Sequence, residues 1–166
     1  MGAMQREKGK RFERDIAARL REVFPAADVR RSSQADRAAN SDVVVTGDPL
    51  LERLWLELQD ARDPTPLAKL QQAERDIAVA RRTGVNLRMP VVIWHRIRER
   101  ASQVTTRLWV LDEIRRRPNG AFQELAEHRP LDVDLDEAAV TLDLDAFIAI
   151  LKALATANQR WGITEP

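Results

Sequence analysis

Apolar residues recur along the chain with two different spacings, and these spacings predict its helices and strands. Spacings of three and four predict helices over 5–24, 67–82 and 146–157, and a broken helix is expected over 112–126. Short apolar or alternating runs predict strands over 28–31, 43–45, 54–58, 89–95 and 103–111, and an acidic edge strand or connector over 131–144. This order of elements predicts an α/β fold with a central mixed β-sheet flanked by helices.

Each predicted helix has one apolar face that is expected to pack on the sheet. The three faces consist of Phe12, Ile16, Leu20 and Val23; of Leu67, Leu70, Ala73, Ile77 and Ala80; and of Phe147, Ile150, Leu151 and Leu154. The run 89–95 is apolar throughout, which is typical of a strand buried on both faces. His95 ends this run and is interpreted as a structural or solvent-facing histidine.

Two short apolar runs separated by a Gly-Asp-Pro turn signal make up the central segment, 40–59, and predict a hairpin. Asp42 precedes the first run, and Glu57 lies inside the second, on the face opposite the leucines. A carboxylate inside a strand is costly unless it is paired or binds a metal. Because two adjacent carboxylates repel each other, Asp42 and Glu57 are expected to share a divalent cation.

Size and composition restrict the possibilities further. With 166 residues the chain is expected to form a single domain, and its 44% apolar and 32% charged residues suit a soluble globular protein. It has no cysteine and only two histidines, so a metal would be held mainly by oxygen ligands, which favours Mg2+ or Mn2+. No apolar run is long enough to predict a membrane span, and no signal peptide is visible, so a cytoplasmic location is expected.

Charge is unevenly distributed along the chain. Residues 1–40 carry ten Lys/Arg and six acids, residues 81–117 carry ten Arg and three acids, and residues 121–148 carry eight acids and one Arg. Basic front and middle segments favour a polyanionic partner. The alternative is that these charges are solvated faces of an unrelated α/β interaction module.

An acid before one strand followed by Glu-x-Lys in the next is the core motif of the PD-(D/E)xK nuclease superfamily. Asp42 and the Glu57-Leu58-Gln59 run resemble it, with Gln59 in the position that lysine normally occupies. The run Lys-Gly-Lys-Arg-Phe-Glu-Arg at 8–14 resembles the first helix of archaeal-type Holliday junction resolvases and their phage relatives. Glu13 matches the glutamate that points into their active site. The alternative for Glu13 is an ion pair with an arginine at helical spacing.

The resemblance implies a restriction-endonuclease-like core over about 5–111 with a C-terminal helical extension over about 112–166. It implies catalytic roles for Glu13, Asp42, Glu57 and Gln59, and a metal site made by Asp42, Glu57 and the backbone carbonyl of Leu58. Gln59 cannot carry charge but can orient a water through its amide. Lys69, on the following helix, is a candidate replacement for the missing lysine; the alternative is an ordinary surface lysine.

The resemblance also implies contacts with DNA, either branched at a four-way junction or duplex. The candidate contacts are Lys8, Lys10, Arg11, Arg30, Arg31, Ser32, Ser33, Arg37 and Lys69. The expected function is that of a metal-dependent endonuclease, a homodimeric Holliday junction resolvase acting in DNA recombination in the cytoplasm of a bacterium or a phage-infected host. The alternative is a catalytically inactive nuclease-fold protein that binds DNA.

Overall fold

The computed structural model describes residues 2–32, 41–82, 88–116 and 138–161. The helices are α1 (Gly2–Val23), α2 (Pro66–Arg82), α3 (Leu108–Arg116) and α4 (Leu144–Trp161), with a short 3₁₀ helix at Leu51–Arg53. The strands are β1 (Asp28–Arg31), β2 (Val43–Thr46), β3 (Leu54–Ala61), β4 (Met89–Arg96), β5 (Ser102–Arg107) and β6 (Ala139–Asp143). Within the described residues, no helix is both long and apolar enough to cross a membrane.

The six strands form one mixed sheet in which their spatial order follows the chain from β1 to β6. All neighbouring strands are antiparallel except β3 and β4, which are parallel and are therefore joined by a crossover that contains α2. This arrangement confirms the predicted α/β fold with a central mixed sheet flanked by helices.

The helices cover the two faces of the sheet unequally. α1, α3 and α4 pack on one face around a large apolar core that includes Leu54, Leu56 and Phe147. α2 covers the other face, where its Ala73 and Ile77 pack on Trp55. The alternation predicted for the second central run is therefore confirmed, since its leucines and its tryptophan lie in cores on opposite faces.

Predictions about element boundaries and buried faces were wrong for the strand 103–111, for the helix 112–126 and for Leu67. The predicted strand 103–111 ends at Arg107, and α3 begins at Leu108, because Val110 and Ile114 are buried at a helical spacing of four. The predicted helix 112–126 therefore started too late, and its part after 116 lies outside the described residues. Leu67 is 56% exposed in the first turn of α2, where it was expected to be buried.

The C-terminal third contributes a strand and a helix, and β6 confirms the predicted acidic edge strand over 139–143. The implied extension over about 112–166 is therefore not purely helical. β6 pairs with β5 at the edge of the sheet, and α4 packs against α1 and α3. In α4 the buried face includes Phe147, Ile148 and Leu151, while Ile150 is 38% exposed, which corrects the predicted face. Residues 131–137 of the predicted acidic strand lie outside the described residues, and the side chain of Leu154 is not described.

The connection between β2 and β3 holds the central hairpin in place. Gly47 has a φ of 86°, a left-handed conformation that favours glycine, as the predicted turn requires. The Asp48 carboxylate accepts hydrogen bonds from the N–H groups of Leu50 and Leu51, which start the 3₁₀ helix. The turn thereby returns the chain so that the beginning of β2 lies against the middle of β3.

Candidate functional site

The hairpin brings Asp42 next to the strand segment that carries Glu57. The Asp42 N–H donates to the carbonyl oxygen of Leu56 at 2.9 Å, and the Leu58 N–H donates to Asp42 Oδ2, also at 2.9 Å. The Asp42 carbonyl oxygen accepts a hydrogen bond from the Ser32 N–H at 2.9 Å. Asp42 is thus fixed from both neighbouring strands, with its carboxylate at the main chain directly after Glu57.

Glu57 is 7% exposed and has a partner at each carboxylate oxygen. The indole N–H of Trp55, two residues earlier on the same face of β3, donates to Glu57 Oε1 at 2.8 Å. The ammonium of Lys69 lies 2.6 Å from Glu57 Oε2. The carboxylate is therefore satisfied inside the protein although it lies within a buried strand.

Lys69 reaches this position because α2 begins close to the end of β3. Pro66 is the first residue of α2, and the Lys69 N–H donates to the carbonyl oxygen of Thr65 at 3.0 Å to form the first helical turn. From this turn the Lys69 side chain, which is 23% exposed, extends to Glu57. Lys69 is therefore not an ordinary surface lysine.

Burial and charge shift the pKa values of this cluster. Burial raises the pKa of Glu57, and the negative charge of Asp42 raises it further, against the opposing contacts from Lys69 and Trp55. Burial by itself would lower the pKa of Lys69, but the hydrogen bond and the charge of Glu57, with the charge of Asp42, outweigh it and raise that pKa. Two carboxylates thus share one ammonium, which leaves the cluster short of positive charge.

Gln59 is engaged with the loop that leads into α2. Its side-chain oxygen accepts a hydrogen bond from the Thr65 N–H at 3.0 Å, and its amide nitrogen donates to Thr65 Oγ1 at 3.4 Å. Gln59 therefore ties β3 to the residue immediately before α2. Since Lys69 lies in the first turn of α2, this contact also helps to position its ammonium.

Glu13 lies on the other side of the sheet from Glu57. Its carboxylate accepts a hydrogen bond from Arg31 of β1 and forms an ion pair with it. The partner of Glu13 is therefore on a strand, and not on α1 at helical spacing as the alternative expected. Arg31 shares its face of β1 with Val29, which belongs to the core against α1. Among the described residues, no group of three or more acidic or histidine side chains could hold a metal ion, so Glu13 does not join Asp42 and Glu57 in one cluster.

The oxygen atoms near Asp42 are nevertheless of the kind that a hard cation prefers as ligands. The N–H and C=O of one strand residue point to the same edge, so the Leu58 carbonyl lies on the edge where its N–H meets Asp42. Two carboxylates and one carbonyl oxygen are a suitable partial shell for Mg2+, which retains several waters and binds one or two protein carboxylates.

The residues predicted to contact DNA are found in different environments. Lys8, Arg11 and Arg30 are exposed, whereas Lys10 forms an ion pair with Glu7 at 2.9 Å. Ser32 is buried, and its main chain supports Asp42 as described above. Arg31 is engaged by Glu13. Ser33 and Arg37 lie outside the described residues.

Asp60 was not identified from the sequence as a partner of His95. The parallel register pairs these two residues across β3 and β4, and His95 Nδ1 lies 3.0 Å from Asp60 Oδ1. His95 Nε2 lies 2.8 Å from the carbonyl oxygen of Glu99. Both ring nitrogens thus lie next to acceptor oxygens, and the hydrogen bond with Asp60 raises the pKa of the imidazole above its ordinary value. Contacts from β3 and from the turn after β4 thus hold the ring of His95 in place, in agreement with its interpretation as a structural residue.

Comparison of the chain with protein-family models, with curated proteins and with solved structures found no match. Asp42, Glu57 and Lys69 therefore have to be interpreted from their own contacts.

Proposed function

We propose that the chain is a metal-dependent endodeoxyribonuclease that hydrolyses phosphodiester bonds at the cluster of Asp42, Glu57 and Lys69. The observation that carries this proposal is the 2.6 Å contact between the Lys69 ammonium and Glu57, beside the Asp42 carboxylate. An acid pair with a lysine is the side-chain set of the nuclease motif that the sequence resembles. Here the lysine comes from α2 instead of from the strand.

The acid pair supplies the ligands in this proposal. Asp42, Glu57 and the carbonyl oxygen of Leu58 would hold Mg2+ or Mn2+, which when bound polarises a phosphate oxygen and lowers the pKa of a coordinated water. Asp42 is oriented for this role by its hydrogen bonds to β3 and to Ser32. Trp55 orients Glu57 in the same way, through its indole N–H.

Lys69 would stabilise the negative charge that develops on the phosphate. When Glu57 acts as a metal ligand, it no longer depends on Lys69 for neutralisation, and the ammonium can turn to a phosphate oxygen. The side chain has the flexible four-carbon stem and the partial exposure that such a movement needs. Gln59 contributes as a positioning residue, because it fixes the loop before α2.

The preference for a four-way junction depends on the resemblance of the first helix to Holliday junction resolvases. A junction has two symmetric cleavage positions, so a homodimer with one acid pair in each subunit would suit it. Analytical ultracentrifugation with and without junction DNA measures this assembly directly. A protein that stays monomeric on junction DNA would limit the proposal to a general endonuclease.

A second candidate function is DNA binding by a catalytically inactive nuclease fold. One observation favours it: both oxygens of Glu57 are satisfied by Trp55 and Lys69 without a metal. In addition, the amide of Gln59 is held by Thr65, so the usual position of the lysine offers no side chain to a phosphate.

The test is cleavage of a four-way junction and of a matched linear duplex, each with Mg2+ or Mn2+. Asp42→Asn keeps a hydrogen-bond acceptor but removes the charge, and should abolish cleavage while DNA binding persists. Lys69→Met should slow cleavage by about 100- to 1,000-fold, the usual effect of losing one preorganised electrostatic contact. Lys152→Met, which alters an exposed lysine of α4 that is not among the predicted DNA contacts, is the matched control and should cleave like the parent.

The three functions give different results in this assay. Cleavage by Asp42→Asn at the rate of the parent would rule out the acid pair as the active site. Binding without cleavage in either metal would favour the inactive DNA-binding protein. If DNA does not bind even at low salt, both candidates fail and an unrelated α/β interaction module remains.

A further inference from the structure

A cavity of about 460 Å3 opens on the α1 face of the sheet, at the ends of β3 and β4 and at the start of β5. It lies on the opposite face from Glu57 and is not part of the acid cluster. Five of its lining side chains are cationic, namely Lys8, Arg11, Arg19, Arg98 and Arg100, and the imidazole of His95 lines it as well. Of the five, Arg19 is paired with Asp145. We refer to it as the basic cleft.

Positive charge exceeds negative charge in the basic cleft. Its two acidic residues are Asp15, which lies 3.8 Å from Arg11, and Asp60, which is bound to His95. Lys8, Arg98 and Arg100 form no ion pair with any residue that the structure describes. These three cations are therefore available to an anionic ligand.

The turn after β4 forms one side of the cleft, and hydrogen bonds hold its main chain in place. The Ile97 N–H donates to the carbonyl oxygen of Ala61 at 3.0 Å, and the Glu99 N–H donates to that of Arg96 at 2.9 Å. Arg98 adopts a φ of 84° between them, a conformation that non-glycine residues rarely adopt and that persists only when neighbouring contacts enforce it. The hydrogen bond from His95 to the Glu99 carbonyl supplies one more such contact.

The other side of the cleft is a stripe along α1. Lys8, Arg11, Asp15 and Arg19 are spaced by three and four residues and so share one face of the helix. The twelve residues from Lys8 to Arg19 span about 16 Å of helix, at about 1.5 Å for each of the eleven steps. A single phosphate occupies only a small part of this length, whereas consecutive phosphates of a nucleic-acid strand, about 3.4 Å apart along the helix axis, would extend along it.

We infer that the basic cleft binds the phosphodiester backbone of DNA at a second contact, separate from the acid cluster. This inference rests on the proposed function for the identity of the polyanion. Asp60 lies three residues beyond Glu57 in β3, about 10 Å along the strand and on the other face. DNA that passes around the ends of β3 and β4 would therefore reach both sites.

The test compares two variants that lose the same charge. The cleft variant combines Lys8→Gln, Arg98→Gln and Arg100→Gln; the control combines Arg75→Gln, Arg81→Gln and Arg82→Gln, exposed arginines of α2 that do not line the cleft. Binding of a fluorescent duplex is measured by anisotropy over a range of salt concentrations. The slope of log K against log salt should become less negative by about 2 to 3 in the cleft variant, at roughly 0.9 per phosphate contact. The control should keep the slope of the parent.

A second arm separates the backbone from a terminal phosphate, since both present the same anion. Duplexes with and without 5′-phosphates should bind the parent equally, and a requirement for the terminal phosphate would overturn the assignment to the backbone. Thermal unfolding confirms that both variants are folded.

The outcomes distinguish this inference from the proposed nuclease activity. If the salt slope is unchanged in the cleft variant while the parent binds and cuts DNA, the inference that the basic cleft binds DNA is wrong. The proposed nuclease activity then stands. If the salt slope becomes less negative in the cleft variant but the parent never cuts DNA, DNA binding at the basic cleft is supported and the proposed nuclease activity is rejected. A parent that does not bind DNA at low salt would overturn both.

Discussion

Replacing Lys69 by methionine removes one charge from the acid cluster and keeps the length of the side chain. Glu57, its partner, is 7% exposed, and the Lys69 side chain is 23% exposed. Removing one partner of a buried ion pair usually costs about 3–5 kcal/mol; because water has some access here, we expect a loss of about 2–3 kcal/mol. For a domain of this size that loss lowers Tm by about 4–12 °C.

The same substitution should make the protein more responsive to Mg2+. Without Lys69, Asp42 and Glu57 repel each other with no counter-charge, and a cation bound by both relieves that repulsion. At ten times its Kd, a ligand that binds only the folded state adds about 1.4 kcal/mol of stability. The parent should gain less at equal Mg2+, because its ammonium competes for Glu57. The variant is thus expected to bind Mg2+ more tightly while cleaving more slowly.

Thermal and urea unfolding, followed by circular dichroism in EDTA and in a Mg2+ titration, measures both effects. Lys10→Met is the matched control, since Lys10 also pairs with a glutamate, Glu7, at 2.9 Å but at the surface. It should unfold like the parent at every Mg2+ concentration. If Lys69→Met has the same Tm as the parent, the pair of Lys69 and Glu57 does not stabilise the fold. If it has the same response to Mg2+ as the parent, the cluster does not bind the cation.

Three further predictions concern pH dependence and backbone conformation. Since the pKa of Glu57 is raised above 4.5, its contribution to stability is fully present below that pH and is lost as the pH rises through the folded pKa. Glu57→Gln should remove this decline in urea titrations, and an unchanged pH slope would contradict the assignment. The bond to Asp60 raises the pKa of His95 above 6.5, so its stabilisation should disappear as the pH rises through the raised pKa; an NMR titration midpoint at or below 6.5 would refute it. Gly47→Ala forces a side chain into a left-handed conformation and should cost about 1–2 kcal/mol in urea unfolding. Gly9→Ala, where an added Cβ meets nothing within 4 Å, should not destabilise the fold, and equal losses would reject this reasoning.

The sequence alone determined most of the secondary structure, because burial repeats with the period of each element. The stripe of Ile16 and Leu20 identified α1, and the alternation around Trp55 assigned the two faces of β3. The same pattern located Glu57 in a strand and Asp42 in the segment before its partner strand. Periodicity failed at 108–111, where four apolar residues in a row fit a strand as well as a helix, and burial of Val110 and Ile114 decided for α3.

Only the tertiary structure decided which charged groups meet. Lys69 reaches Glu57 because the crossover places the first turn of α2 over β3, and no local pattern encodes that position. Asp60 meets His95 because two parallel strands adopt one particular register. Burial follows a local period that the sequence displays, whereas an ion pair between distant residues depends on how whole elements pack. The apolar pattern therefore predicted the framework, and the packing selected the partners within it.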